Sequence, residues 1–162
     1  MDFEEIAFAT KSLRIAFDRN MSDHRAPVND ESMLNRCPLC ARAHEEDAIA
    51  SNAFAMAVAD GFPLNPGHAL VIPRRHIADL FELEPDELAA LWALVPVVCD
   101  AIKRSHRPHG FNIGINVGQA AGQTVAHAHV HVIPRYNGDV PDPRGGVRWV
   151  LPERADYWSG RT

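Results

Sequence analysis

Three histidines, His127, His129 and His131, stand at two-residue spacing in the run Gly122-Gln-Thr-Val-Ala-His-Ala-His-Val-His-Val-Ile-Pro-Arg135. In an extended strand, side chains at i, i+2 and i+4 share a face. This spacing therefore sets three imidazoles on one side and Ala128, Val130 and Val132 on the other. One histidine there is an ordinary core residue; three at consecutive same-face positions call for chemistry. Two kinds fit. Three imidazoles and a water make an open zinc site. Alternatively, a neutral imidazole whose second nitrogen keeps its proton, oriented by an acceptor, presents a lone pair and attacks. His129, central and next to small Ala128, is placed for attack. Gln123 and Thr124 carry polar groups suited to phosphoryl oxygens, and read equally well as turn residues.

Cys37-Pro-Leu-Cys40 bears on that choice. The pair reads as a redox motif, as half a zinc site or as chance. A redox pair is expected near a βαβ unit, and none is evident. Half a zinc site needs two more ligands, and His76 and His127 are available. Two thiolates and two imidazoles close a tetrahedral, structural site and leave His129 and His131 free of metal.

The elements that position these groups follow from periodicity. Phe54, Met56 and Val58 alternate with alanines up to Asp60-Gly61, a strand running into a turn. His68 to Ile72 is a second strand, closed by Pro73. Pro85, with Asp86 and Glu87 behind it, opens a helix whose buried face is Leu88, Leu91, Trp92, Val95, Val98 and Ile102, with Pro96 a candidate kink. Cys99 in that run reads as a core thiol. Residues 111–117 and 124–133 are two further strands joined by the glycine-bounded turn Gly118 to Gly122, an antiparallel pair. Strands and helices do not alternate regularly, which favours an α+β fold. Residues 1–31 read as an arm of unassigned role, 32–137 as the domain and 138–162 as a C-terminal extension bearing Trp149, Tyr157 and Trp158.

Composition narrows the function. The 162 residues, 46% hydrophobic, suffice for one buried core. The formal charge of −5 argues against general nucleic-acid binding. No apolar run approaches the roughly 18 residues of a membrane span, and the acidic start lacks the features of a signal peptide, so a cytoplasmic location is expected.

His127-Ala-His129-Val-His131-Val-Ile133 fits the His-φ-His-φ-His-φ-φ signature of the histidine triad (HIT) superfamily. Leu64 to His76 resembles the superfamily's other recurrent segment, and Gly122-Gln-Thr-Val resembles its fragile histidine triad branch of dinucleoside polyphosphate hydrolases. The resemblance covers roughly residues 35–137. It implies a HIT-like five-stranded antiparallel sheet with two helices, dimeric through the long helix. It implies a nucleotide hydrolase that releases an NMP through a nucleotidyl-histidine on His129. A phosphorylase or a regulatory nucleotide-binding protein with little turnover are the alternatives. His131 would contact the phosphate and leaving group, and its carbonyl would orient His129. Asp60 would bind the ribose, Asn116, Gln123 and Thr124 the phosphate, and His68 would support the active-site strand. By likeness to the bacterial zinc-containing members, Cys37, Cys40, His76 and His127 would hold structural zinc.

Overall fold

A computed structural model of the chain describes residues 37–43 and 45–159. The arm at 1–31 and the first residues of the expected domain lie outside the described residues. Five strands form one antiparallel sheet in the order β1-β2-β3-β5-β4. They are β1 (Ala50–Ser51), β2 (Ala55–Ala59), β3 (Ala69–Pro73), β4 (Gly110–Ile115) and β5 (Val130–Arg135). One α-helix, α1 (Pro85–His106), lies between β3 and β4 in the chain and packs across one face of the sheet. Among the described residues it is the one α-helix, where two were expected. Elsewhere between 37 and 159, proline, glycine and short strands limit helical structure to 3-10 turns.

α1 starts where its sequence says. Glu84 and Glu87 form a reciprocal capping box around Pro85, and Arg107, at φ 52°, ends the helix with its N–H on the Lys103 carbonyl. Glu87 also receives Arg75 Nη2 at 2.6 Å, which ties the exit of β3 to the first turn. Leu91, Leu94, Val95, Val98, Cys99 and Ile102 bury their side chains against Ala55, Ala57, Ala69, Val71, Val130 and Val132. The alanines on the sheet let the helix approach closely. Trp92, expected in that face, is 44% exposed; its place in the contact is taken by Leu94 and Cys99.

β2 departs from simple alternation: Ala55 to Val58 are all buried, because the sheet is covered on both sides. Ala55 and Ala57 face α1, whereas Met56 and Val58 join Leu70, Ile72, Leu39 and Cys37 in a second cluster. Phe54 precedes the strand and is 43% exposed.

The expected strand 124–133 begins only at Val130, and β4 ends at Ile115 rather than at Val117. The intervening backbone is engaged elsewhere. His127 N–H donates to the Val125 carbonyl, and Ala128 N–H donates to the Ile77 carbonyl. Gln123 accepts from Gly118 N–H through Oε1 and donates through Nε2 to the carbonyls of Ala78 and Val125. The facing pattern nevertheless continues past the ladder. Ala128, like Val130 and Val132, packs in the α1 core, and the histidines lie off it.

Candidate functional site

The three histidines part company. His127, fully buried, turns toward the two cysteines: its Nδ1 lies 3.5 Å from Cys37 Sγ and 3.3 Å from Cys40 Sγ, and His76 Nδ1 lies 3.2 Å from Cys40 Sγ. All four donor atoms fall within 4.8 Å of one another. A tetrahedral zinc with ordinary bond lengths needs sulfur-to-nitrogen edges of about 3.6 Å, so the spacing fits one ion. The tautomer fits as well. Nε2 of His127 donates to the Pro73 carbonyl at 3.0 Å, which leaves the Nδ1 lone pair facing the sulfurs. Burial pushes His127 down to about 4, keeping it the neutral imidazole a metal requires. Burial, then the Cys37 side chain alongside, pushes the Cys40 thiol up to about 12; a divalent cation inverts that cost. Cys37, Cys40, His76 and His127 would therefore hold zinc as a structural ion, with His129 outside the group. The three-imidazole zinc site is not assembled.

His129 is 7% exposed, and its Nδ1–H donates at 2.7 Å to the carbonyl of His127, two residues back. The resemblance assigned this role to the His131 carbonyl. In the segment before β5 it is the i−2 carbonyl that lies beside the ring. With Nδ1 protonated, Nε2 of His129 carries the lone pair. No buried side-chain nitrogen among the described residues lacks a partner, and no described group bonds this Nε2, so the atom opens to solvent.

His131 is on β5, paired with Leu70 on one side and Gly114 on the other. A second relay fixes its protons. Leu64 N–H donates to His68 Nδ1 at 3.2 Å, so the neutral His68 carries its proton on Nε2. That atom lies 3.1 Å from His131 Nδ1 and 3.4 Å from Asp60 Oδ2. His131 Nδ1 then accepts, and its Nε2 bears the hydrogen. Burial lowers both His68 and His131 and keeps them neutral; Asp60 opposes the shift in each. Asp60, His68 and His131 are near enough to suggest a second metal group. The relay argues against it, because a metal on His68 Nε2 would leave that ring with a proton on neither nitrogen.

Asp60 also takes the turn role: its Oδ1 accepts from Phe62 N–H. Asn116 shares with His131 a cleft of about 560 Å³. Thr124 is exposed, while Gln123 commits its amide to the loop backbone. Sequence reasoning missed the far end of the site. Arg135 pairs with Asp139 through Nε and Nη2, and Asn65 Nδ2 joins Asp139 Oδ2 at 2.9 Å. This buckle fastens the β2–β3 loop to the end of β5. Arg, Asp and Asn dispersed over 75 positions give no local signal.

An α+β sheet that presents one oriented, partly open imidazole beside a buried Cys2His2 group defines a histidine-triad architecture. Residues 42–138 match the HIT domain, and the chain belongs to that family. The AP-4-A phosphorylase of Mycobacterium tuberculosis is 44% identical over 92 residues, 56% of this chain and 47% of that protein. An asymmetrical bis(5'-nucleosyl)-tetraphosphatase of Schizosaccharomyces pombe is 47% identical over 77 residues, 48% of this chain and 42% of that protein. The chain thus spans about half the length of these curated relatives. A Zn-bound histidine triad family protein from Mycobacterium smegmatis superposes with a TM-score of 0.57 at 34% identity, covering 72% of this chain and 91% of that one. Among the described residues no helix is long and apolar enough to cross a membrane.

Two outcomes are expected. Purified protein should contain one zinc per chain, and Cys37→Ser with Cys40→Ser should remove it and lower the melting temperature strongly, since structural zinc contributes roughly 10 kcal/mol of folding free energy. Metal analysis of protein prepared without chelators checks this, and absence of zinc refutes it. The second concerns acid. Folded His68 and His131 titrate below their unfolded values, so the unfolded chain takes up protons first. Their contribution is complete above about pH 6.5 and is lost as pH falls from there through the folded values. Melting temperature should drop between pH 6.5 and 5, less steeply in His131→Gln; an equally steep fall in the variant excludes His131 as a source.

Proposed function

We propose that the chain is a nucleotide hydrolase cleaving dinucleoside polyphosphates, or related nucleotides, at the α-phosphate through a covalent nucleotidyl-histidine on His129. The observation that carries this is the complementary pair of tautomers. His129 offers a bare Nε2, held by its Nδ1–H on the His127 carbonyl, and neighbouring His131 offers a protonated Nε2, held by His68. The two ring centroids are 4.9 Å apart. One ring is set to attack and the other to donate.

In the first step His129 Nε2 bonds to the α-phosphorus, and the bridging P–O bond breaks with its electron pair on the leaving phosphate. The His131 Nε2–H stabilises the charge that develops on the oxygens in flight. The imidazolium formed on His129 keeps its Nδ1–H on the His127 carbonyl. Water then attacks the phosphorus, displaces the imidazole and releases an NMP. Asp60 would bind the ribose hydroxyls, and Asn116 and Thr124 the phosphoryl oxygens. Gln123 positions the loop that carries them. Zinc would act as a structural ion, anchoring the His127 ring and hence its carbonyl. The domain would run from 32 to 137, with 138–162 as an extension.

A second reading has phosphate, not water, resolve the intermediate, and similarity to a protein named AP-4-A phosphorylase supports it. Products decide: with diadenosine tetraphosphate, water gives AMP and ATP, whereas phosphate gives ADP and ATP. Rapid acid-free quenching with labelled substrate should trap a base-stable, acid-labile adduct. His129→Ala should abolish adduct and turnover while keeping zinc and nucleotide binding; near wild-type turnover in that variant would refute the assignment. Absence of any turnover in the wild type would favour a regulatory binding protein.

We also propose a homodimer through α1. Trp92 and Val97, apolar and 44% and 50% exposed on that helix, support it. Light scattering is expected to give twice the chain mass, and Trp92→Glu to return it to one; a wild-type monomer at micromolar concentration rules the dimer out.

A further inference from the structure

We propose that the groove beside His131 is a subsite for the nucleobase of the leaving half of a dinucleotide, with Trp149 as its stacking wall. The proposal rests on the reading of His129 as the attacking group.

The cleft of about 560 Å³ that holds His131 and Asn116 runs along β4 past Gly114 to Asn112. It continues into a neighbouring cavity of about 430 Å³ through shared residues, Leu64, Asn112, Ile133, Gly146 and Trp149. Volumes of this order accommodate small organic ligands. Gly114 pairs with His131 across the sheet, and a Cβ built there meets nothing within 4 Å, so the groove stays open next to the imidazole.

The opposite wall comes from the C-terminal extension. Val147, Trp149 and Val150 line it, 60%, 46% and 79% exposed, with Leu64 at 72%. An apolar patch left facing water and bounded by polar groups marks a binding surface. Its two ends differ in a telling way. One end has His131 and the Asn116 amide, suited to phosphate; the other has an indole and aliphatic side chains, with the Asn112 amide at the edge. That is the polarity of a nucleoside phosphate.

The wall is pre-formed. Trp149 Nε1–H donates to the Arg144 carbonyl at 2.7 Å, and the Arg144 guanidinium sits 4.7 Å from the centre of the Trp158 ring. Arg148 bonds the carbonyls of Arg154 and Ala155 and lies 5.0 Å from the Tyr157 ring centre. The turn that starts the wall needs glycine: Gly145 has φ 86°, and a Cβ on it would meet Trp158 at 3.2 Å. Binding a base here therefore orders little that is not already ordered.

Strand order assigns the half. Asp60 follows β2 and meets His68 before β3, whereas the groove lies over β4, on the other side of β5. The half attacked, with its ribose at Asp60, and the half expelled thus occupy opposite sides of His131.

The test compares diadenosine tetraphosphate with adenosine 5′-tetraphosphate, which keeps the attacked half and lacks the second nucleoside. Trp149→Ala should lower kcat/KM for the dinucleotide about tenfold or more, the scale of base–aromatic stacking, and Trp149→Phe should restore most of it. The mononucleotide should change less than about twofold. Val150→Ser, at an exposed position, should shift the dinucleotide in the same direction and serves if Trp149→Ala fails to fold. Equal losses for both substrates, no loss for either, or a change in oligomeric state on Trp149→Ala would overturn the proposal. Affinities of the same two nucleotides for His129→Ala, with and without Trp149→Ala, give a readout independent of turnover. If the wild type cleaves neither nucleotide, the hydrolase reading fails, and these affinities still decide the subsite.

Discussion

The carbonyl of His127 is the point on which the rest of the site depends. It accepts the His129 Nδ1–H, and the ring of the same residue is fastened between Pro73 and the two cysteines. One residue thus faces two ways. Its side chain belongs to the Cys2His2 group, and its backbone sets the tautomer of the next imidazole. A buried ring cannot rotate without breaking a hydrogen bond it has no water to replace, so the orientation is held by the cost of an unsatisfied polar group. The backbone there is off the sheet ladder, which makes the carbonyl available at all. Had the strand run from Thr124, that oxygen would have been a candidate for a neighbouring strand.

The second dependence is on proton inventory. Leu64 N–H, His68, His131 and Asp60 form a chain in which each nitrogen has one role, and it starts from a backbone amide in the β2–β3 loop. The Arg135–Asp139–Asn65 buckle holds that loop from the other end: Asn65 Nδ2 donates to Pro134 O and to Asp139. Arg135, with the Tyr136 amide and Asn65, holds Asp139 well below the usual carboxylate range, so the buckle persists across the pH range in which the histidines titrate.

Much of this was legible in the sequence because the relevant signals are local. The helix start at Pro85 with Asp86 and Glu87 behind it, the apolar spacing of Leu91, Val95, Val98 and Ile102, and the strand before Pro73 are each written within a few residues. The Cys37, Cys40, His76 and His127 group was legible by ligand count, and the structure brings those four side chains together. What escaped depends on partners distant in the chain. Facing periodicity says which side His127 and His129 lie on, and says nothing about whether a ladder partner exists; the strand therefore began six residues later than its pattern suggested. Trp92 has helical spacing but lies outside the face that α1 buries. Gln123 looked like a phosphate ligand because its type allows it, and only the positions of Gly118 and Ala78 reveal what its amide holds. The tail's aromatic residues were visible, but the place of Trp149 in the cleft with His131 follows from the fold of Gly145 and Gly146.

That tail touches the chemistry from one side only. The histidine pair, the cysteine cluster and the relay are built from residues 37–131, while the outer wall of the cleft comes from residues past 145. Of the described tail from 145 onward, only Ala155 is buried. On the proposed reading, chemistry and molecular choice would be carried by physically separable parts of one small chain. Substitutions in the outer wall would then change the range of molecules admitted and leave the imidazoles where they stand.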